Sequence, residues 1–154
     1  MKTPNYWQES IDFLQNNDKK LAKIIKKYSK SVLIGSENSL ETLIRSVVGQ
    51  QISVKAAASV WQKMNSLIGK LSADNVLSVN KEKLQSCGIS HQKTQYILNI
   101  ANHYKIHHID DEFYWNDREF SNIYDELISI KGIGPWTVET VSYTHLTLPT
   151  ILLV

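Results

Sequence analysis

Two glycines near the end of the chain mark the segment best suited to bind an anion. Gly132 and Gly134 follow the apolar run Leu127–Ile130, and Pro135 comes directly after them. Glycine reaches backbone angles closed to other residues and lets a ligand approach main-chain N–H groups. Proline suits the first position of a helix, whose free amides and positive dipole end would face the same ligand. These residues predict a phosphate-binding hairpin, although an ordinary glycine-rich turn between two helices fits them as well.

A second candidate site lies where an apolar helical segment stops. Gln50 and Gln51 follow Gly49, so their side chains are expected to project rather than pack. The alternative is a glutamine pair that closes a helix end. Arg45 and Lys55 flank this segment, and each could touch a phosphate backbone or remain an exposed charge.

Helices must hold these candidates, because apolar residues recur at helical spacing and no segment alternates with period two. The sequence therefore predicts an all-α fold. Helix caps are predicted at Asn17 or Asp18, near Ser36 or Ser39, and at Ser53, Ser72 and Ser90. One helix is predicted to turn an apolar stripe toward the core, formed by Leu40, Leu43, Ile44, Val47 and Val48. Similar stripes are predicted within residues 21–28, 57–68, 97–104 and 120–127. A loop is predicted over 105–116.

Composition bounds the class of protein. A chain of 154 residues with 42% hydrophobic and 21% charged residues supports one globular domain with a core. The net charge of +2 permits nucleic-acid binding through a local patch without demonstrating it. Cys87 is the only cysteine, which excludes an internal disulfide and a Cys/His zinc site. No signal peptide or membrane-spanning stretch is seen, so a cytoplasmic protein is expected.

Two charged clusters are predicted to be ordinary surface. The lysines within residues 19–30 are predicted to form a solvated helix face; the alternative is that they contact phosphate groups. His107 and His108 lie near three acidic residues, but adjacent side chains point apart and no histidine recurs at helical spacing. A surface loop is expected there rather than a metal site.

Three blocks of the sequence, in order, resemble the helix-hairpin-helix base-excision DNA glycosylases. The hairpin and its Gly-Pro-Trp-Thr continuation, residues 134–137, are similar to the 3-methyladenine DNA glycosylase II branch. Residues 43–57 resemble that branch's Gly-Gln-x-hydrophobic-Ser region, and residues 84–93 resemble the loop before its DNA-facing helix. The resemblance covers roughly residues 4 to 141.

The resemblance implies a compact all-α DNA glycosylase fold whose C-terminal helices are missing here. It implies a monomer that acts on double-stranded DNA, away from membranes and without a required cofactor. Gln51 falls at the wedge position, where an amide can stack in the gap left by a flipped nucleotide and hydrogen-bond the orphaned base. The implied DNA-contacting residues are Gly132, Gly134, Lys131, Thr137, Gln50, Gln51, Ser53 and Lys93. No side-chain metal site is implied, but the main-chain carbonyls of Ile128, Ile130 and Ile133 could hold a monovalent cation.

Trp136 occupies the hairpin position at which strand-cleaving relatives carry a lysine nucleophile. Without an amine no Schiff base can form, so the implied reaction is hydrolysis of the N-glycosidic bond of alkylated purines. An indole in the base pocket would stack on an electron-poor purine. The alternative for Trp136 is core packing.

The chain departs from the family after Val141. The family's catalytic aspartate lies in a Val/Leu-Pro-x-Asp loop, roughly two dozen residues beyond the second glycine. Residues 142–154 contain no acidic residue, and Glu139 is not at that position. We therefore expect residues 1–141 to form an incomplete glycosylase domain, residues 142–154 to be a non-native or frame-shifted tail, and this chain to be inactive. The alternative function is a non-catalytic helix-hairpin-helix protein that binds duplex DNA.

Overall fold

The computed structural model describes residues 3, 7–32, 38–109, 114–115 and 118–145. Helices account for most of these residues, and no strand occurs among them, so the all-α prediction is confirmed. The helices are α1 (Trp7–Asn17), α2 (Lys19–Lys27), α3 (Ser39–Gly49), α4 (Val54–Ile68), α5 (Ala73–Ser78), α6 (Lys81–Ser86), α7 (His91–Ile106), α8 (Phe120–Ser129) and α9 (Pro135–His145).

Short polar side chains begin these helices where the sequence indicates. Asp18 caps α2 by accepting the N–H groups of Lys20 and Leu21 at 2.6 and 3.1 Å. Caps at Ser53, Ser72 and Ser90 are also confirmed. Each supplies an acceptor to an amide that has no partner inside its helix.

The cap of α3, predicted near Ser36 or Ser39, is Asn38. Asn38 begins that helix and accepts the N–H of Glu41 at 2.9 Å, whereas Ser36 lies outside the described residues. The Ser39 hydroxyl is occupied elsewhere, because it accepts hydrogen bonds from Tyr104 Oη at 2.8 Å and Trp115 Nε1 at 3.1 Å. Asparagine caps as well as serine does, so the residue one position earlier takes the role.

The chain forms two compact units, of which the smaller contains α1 and α2, packed against each other. The predicted inward stripe of α2 was wrong in part. Ile24 and Tyr28 are 54% and 55% exposed, although Leu21 and Ile25 are partly covered. Helix α1 covers only part of this apolar face.

The larger unit contains α3 to α9 and has α3 and α7 at its centre. The predicted α3 stripe is confirmed, with Leu43, Ile44 and Val47 at 0% exposure. This helix packs on α4, α7 and α9, while α5 and α6 pack on α7 and α8 packs on α9. The predicted stripes within 57–68 and 120–127 were wrong at Leu67 and Phe120, which are 37% and 39% exposed. Both lie in a terminal turn of their helix, where fewer neighbours can cover a side chain.

The segment predicted as a loop over 105–116 is helical at its start, because α7 continues to Ile106. Residues 110–113 and 116–117 lie outside the described residues, and so do Asp110, Asp111 and Glu112 of the acidic cluster near the two histidines. Tyr114 and Trp115 pack against the core.

A polar cluster ties α7 to α8. One oxygen of Glu126, on α8, lies 2.9 Å from Nε2 of His103 on α7 and 2.8 Å from Tyr114 Oη. The other oxygen lies 2.7 Å from the Arg118 guanidinium. Burial raises the pKa of Glu126, but the hydrogen bonds from His103, Tyr114 and Arg118 outweigh it and leave that pKa below its ordinary value. The charged carboxylate is thus an integral part of this junction.

Candidate nucleic-acid interface

The glycine hairpin connects α8 to α9 in a tight bend. The N–H of Ile133 donates to the carbonyl of Ile130 at 3.0 Å, and Gly132 between them has a φ of 111°. A side chain at Gly132 would be strained at that angle, and its Cβ would overlap the ring of Tyr96 on α7. The fold itself therefore requires glycine at this position.

Gly134 differs from Gly132. Its φ lies outside the left-handed region, and a Cβ built there would have no heavy atom within 4 Å. Neither backbone strain nor packing in the described protein demands glycine at this position. The space in front of Gly134 is open to a ligand.

Three main-chain donors of the hairpin lack a partner among the described residues. The amides of Gly132, Gly134 and Trp136 make no hydrogen bond within the part of the chain that the structure describes. Two later amides of the first turn, those of Thr137 and Val138, donate to the Gly134 carbonyl at 2.9 and 3.1 Å. Because the first amides of a helix carry its positive dipole end, this bend can bind an anion such as phosphate.

Three side chains near the bend have distinct environments. Trp136 is 69% exposed, so the alternative that it packs in the core is wrong. Lys131 is exposed, and its carbonyl accepts a hydrogen bond from Asn99 Nδ2 at 3.1 Å. Thr137 is buried at 3% exposure and belongs to the first turn of α9. An exposed indole and an exposed ammonium group thus flank the free amides.

The Gln50–Gln51 segment forms the turn between α3 and α4. Gln51 is exposed and has a φ of 57°, a left-handed conformation that ordinary side chains rarely adopt. Gln50 is half-buried, and neither glutamine side chain has a hydrogen-bond partner among the described residues. Ser53 closes the turn by accepting the N–H of Ala56 at 3.2 Å. The structure presents Gln51 outward on a strained backbone.

The Lys93 side chain, from α7, contacts the main chain of this turn. Its Nζ donates to the carbonyls of Val48 and Gln50 at 2.8 and 2.6 Å, and burial lowers the pKa of its ammonium group. An ammonium group has three donors, so one remains for another partner. The role predicted for Lys93 was contact with DNA, and the structure places two of its donors on the protein's own main chain.

Helix α7 connects the two candidate regions. Lys93 in its first turn holds the Gln50–Gln51 turn, and Tyr96 and Asn99 in its next turns contact the hairpin at Gly132 and Lys131. Neither Tyr96 nor Asn99 is among the residues that the sequence assigns to the interface. Spacing of three residues along one helix was the available signal, but nothing in the sequence indicates which loops such residues meet.

Metal binding and membrane spanning can also be examined in the described part of the chain. Within it, no group of three or more His, Cys, Asp and Glu side chains could hold a metal ion. The Ile130 carbonyl, one of the three predicted to hold a monovalent cation, accepts the N–H of Ile133. None of the helices in the described ranges is long and apolar enough to cross a membrane.

Comparison with known proteins identifies the family. Residues 44–142 match the HhH-GPD superfamily of base excision DNA repair proteins. The chain belongs to this superfamily. The matched residues include both the Gln50–Gln51 turn and the glycine hairpin, so the HhH-GPD assignment covers the whole candidate interface.

Proteins similar to this chain in sequence and in structure include 3-methyladenine DNA glycosylases. The chain is 27% identical over 129 residues to DNA-3-methyladenine glycosylase 1 of Schizosaccharomyces pombe, covering 82% of this chain and 57% of that protein. The DNA-3-methyladenine glycosidase of Bacillus halodurans has a TM-score of 0.70 at 25% identity, covering 84% of this chain and 65% of the other. The S. pombe 3-methyladenine DNA glycosylase, solved in complex with abasic DNA, has a TM-score of 0.73 at 23% identity, covering 90% and 70%. The chain thus spans between half and three quarters of these relatives.

Proposed function

We propose that this HhH-GPD chain binds damaged double-stranded DNA as a monomer, in the manner of a 3-methyladenine DNA glycosylase. The free amides of Gly132, Gly134 and Trp136 bind one phosphate, with Lys131 adding positive charge. Gln51 fills the gap left by a flipped nucleotide, with Gln50 and Ser53 beside it, and Trp136 stacks on the extruded base. The reaction of the lineage is hydrolysis of the N-glycosidic bond of an alkylated purine.

The observation that carries this proposal is the contrast between the two glycines. Gly132 is required by the protein's own packing, whereas Gly134 faces open space next to amides without partners. A glycine that the fold does not need, beside unused donors at a helix start, supports an external anion as the reason for it. The S. pombe relative's complex with abasic DNA indicates which polyanion to test first.

The test is the affinity of Gly134→Ala for a duplex that contains an abasic-site analogue, measured by fluorescence anisotropy. The added methyl group should keep the phosphate away from the amides and weaken binding about tenfold, equivalent to about 1.4 kcal/mol. The free energy of unfolding should change by less than about 1 kcal/mol, because no atom lies near the new Cβ and the small effects of alanine on the helix cap and on the unfolded chain oppose each other. Unchanged affinity would refute phosphate binding at this bend.

The present chain should bind DNA without releasing a base. Departure of the base leaves positive charge on the sugar, which the family stabilises with an aspartate, and residues 140–154 contain no carboxylate side chain. Incubation with methylated duplex DNA should therefore release no 3-methyladenine. Extending residues 1–141 with an aspartate-bearing C-terminal segment of the family should restore release. If the extended protein also binds without release, the alternative of a non-catalytic duplex DNA-binding protein is favoured.

A further inference from the structure

The backbone of Gln51 needs an explanation. Its φ of 57° is costly for a residue with a side chain, and its exposed side chain gains no hydrogen bond among the described residues in return. The turn's own hydrogen bond, from the N–H of Ile52 to the Gly49 carbonyl, is long at 3.4 Å and stabilises this conformation only weakly. Another group must hold the turn in this conformation.

Lys93 makes the strongest contacts with this turn. Its Nζ bridges the carbonyls of Val48 and Gln50 at 2.8 and 2.6 Å, across 45 and 43 residues of sequence. These carbonyls belong to the end of α3, where the last turn lacks intrahelical donors and carries the negative end of the dipole. A cation with several donors satisfies both carbonyls together and fixes the peptide that leads into Gln51.

We propose that Lys93 is a positioning residue that holds Gln51 in its left-handed conformation, ready to enter the gap in the DNA. This inference rests on the proposed function. It differs from a direct phosphate contact by Lys93, because the effect of the lysine on DNA would pass through Gln51. The two roles therefore predict different couplings between the residues.

A double-mutant cycle separates these roles. Lys93→Met keeps most of the side-chain length without its donors, and Gln51→Ala removes the inserting amide. Affinity for the abasic-analogue duplex is measured by anisotropy, and insertion by the fluorescence of 2-aminopurine placed opposite the analogue. We expect Lys93→Met alone to weaken binding about tenfold and to abolish the 2-aminopurine change. In the Gln51→Ala background it should weaken binding less than about twofold.

Two controls accompany the cycle. Lys63→Met removes an equal charge from an exposed lysine of α4 that has no partner among the described residues, and it should leave both signals unchanged. Lys93→Arg keeps the charge and the donors, and it should retain most of the 2-aminopurine change. If Lys93→Met costs as much affinity in the Gln51→Ala background as it does alone, Lys93 acts on DNA directly and the proposal is overturned.

A spectroscopic measurement on the free protein tests the proposal without DNA. The carbon chemical shifts of Gln51 report its left-handed φ, and they should move toward ordinary values in Lys93→Met but not in Lys63→Met. Unmoved shifts would overturn the inference even if the protein binds DNA as proposed. Conversely, if wild type binds the abasic-analogue duplex no better than an intact one, the proposed function fails, while the shifts still decide whether Lys93 holds Gln51.

Discussion

The hairpin and the Gln50–Gln51 turn both join two helices, and both contain a left-handed residue. In the hairpin that residue is Gly132, which has no side chain and packs against Tyr96. In the turn it is Gln51, whose side chain is exposed. The hairpin thus offers main chain to a ligand, whereas the turn offers a side chain at a cost in strain. One helix, α7, thus positions both a main-chain binding surface at the hairpin and an exposed side chain at the turn.

The largest effect is expected from Gly132→Ala. A methyl group there meets the ring of Tyr96 and is strained by the φ of 111°, so we expect a loss of about 3 kcal/mol in the free energy of unfolding. Urea denaturation measures it. Because Gly134→Ala should change that free energy by less than about 1 kcal/mol, equal losses from the two substitutions would erase the distinction between a structural glycine and a ligand-facing one.

A smaller loss is expected from Glu126→Gln, which weakens the junction between α7 and α8 beside the hairpin. A neutral amide cannot form the ion pair with Arg118, and its single oxygen cannot accept from all three donors, so the free energy of unfolding should fall by about 1–3 kcal/mol. The carboxylate's pKa is lowered in the folded state, so its stabilising effect is full above the unfolded pKa of about 4.3 and is lost as the pH falls through the folded value.

Urea denaturation of Glu126→Gln and wild type at several pH values checks this sign. The difference in stability between them should shrink as the pH falls below about 4, where the carboxylate takes up a proton. A difference that grows below that pH would contradict the lowered pKa. Because the cluster joins α7 to α8 and does not contact the turn, the Gln51 chemical shifts should be unaffected.

A still smaller effect on stability is expected from Gln51→Gly. Glycine accepts the left-handed backbone, so relief of strain should offset the entropy that glycine loses on folding, and the free energy of unfolding should change by less than about 0.5 kcal/mol. Affinity for the abasic-analogue duplex should nevertheless fall about tenfold. Gln50→Gly is the matched control, because Gln50 has an ordinary φ of −54° and should be destabilised by about 0.5–1 kcal/mol. Equal destabilisation at both positions would contradict strain at Gln51.

The sequence predicted the elements better than their contacts. Periodicity and short polar caps identified α3 and α7 with their buried faces, because these features depend on residues within a few positions of each other. The exposure of Ile24 and Leu67 could not be predicted, since it depends on which neighbour covers each face. Likewise, glycine spacing located the hairpin, but only the packed structure distinguishes Gly132 from Gly134. The link from Lys93 to Gln50 spans 43 residues, and no local pattern encodes it.

The central claim is that main-chain amides of the hairpin bind the sugar-phosphate backbone of damaged DNA. Amide chemical shifts of the hairpin, followed while an abasic-analogue duplex is titrated into the protein, test this most directly. The account predicts that the amide signals of Gly132, Gly134 and Trp136 move furthest and saturate together with the anisotropy change. A complex that forms while these three amide signals stay in place would contradict it.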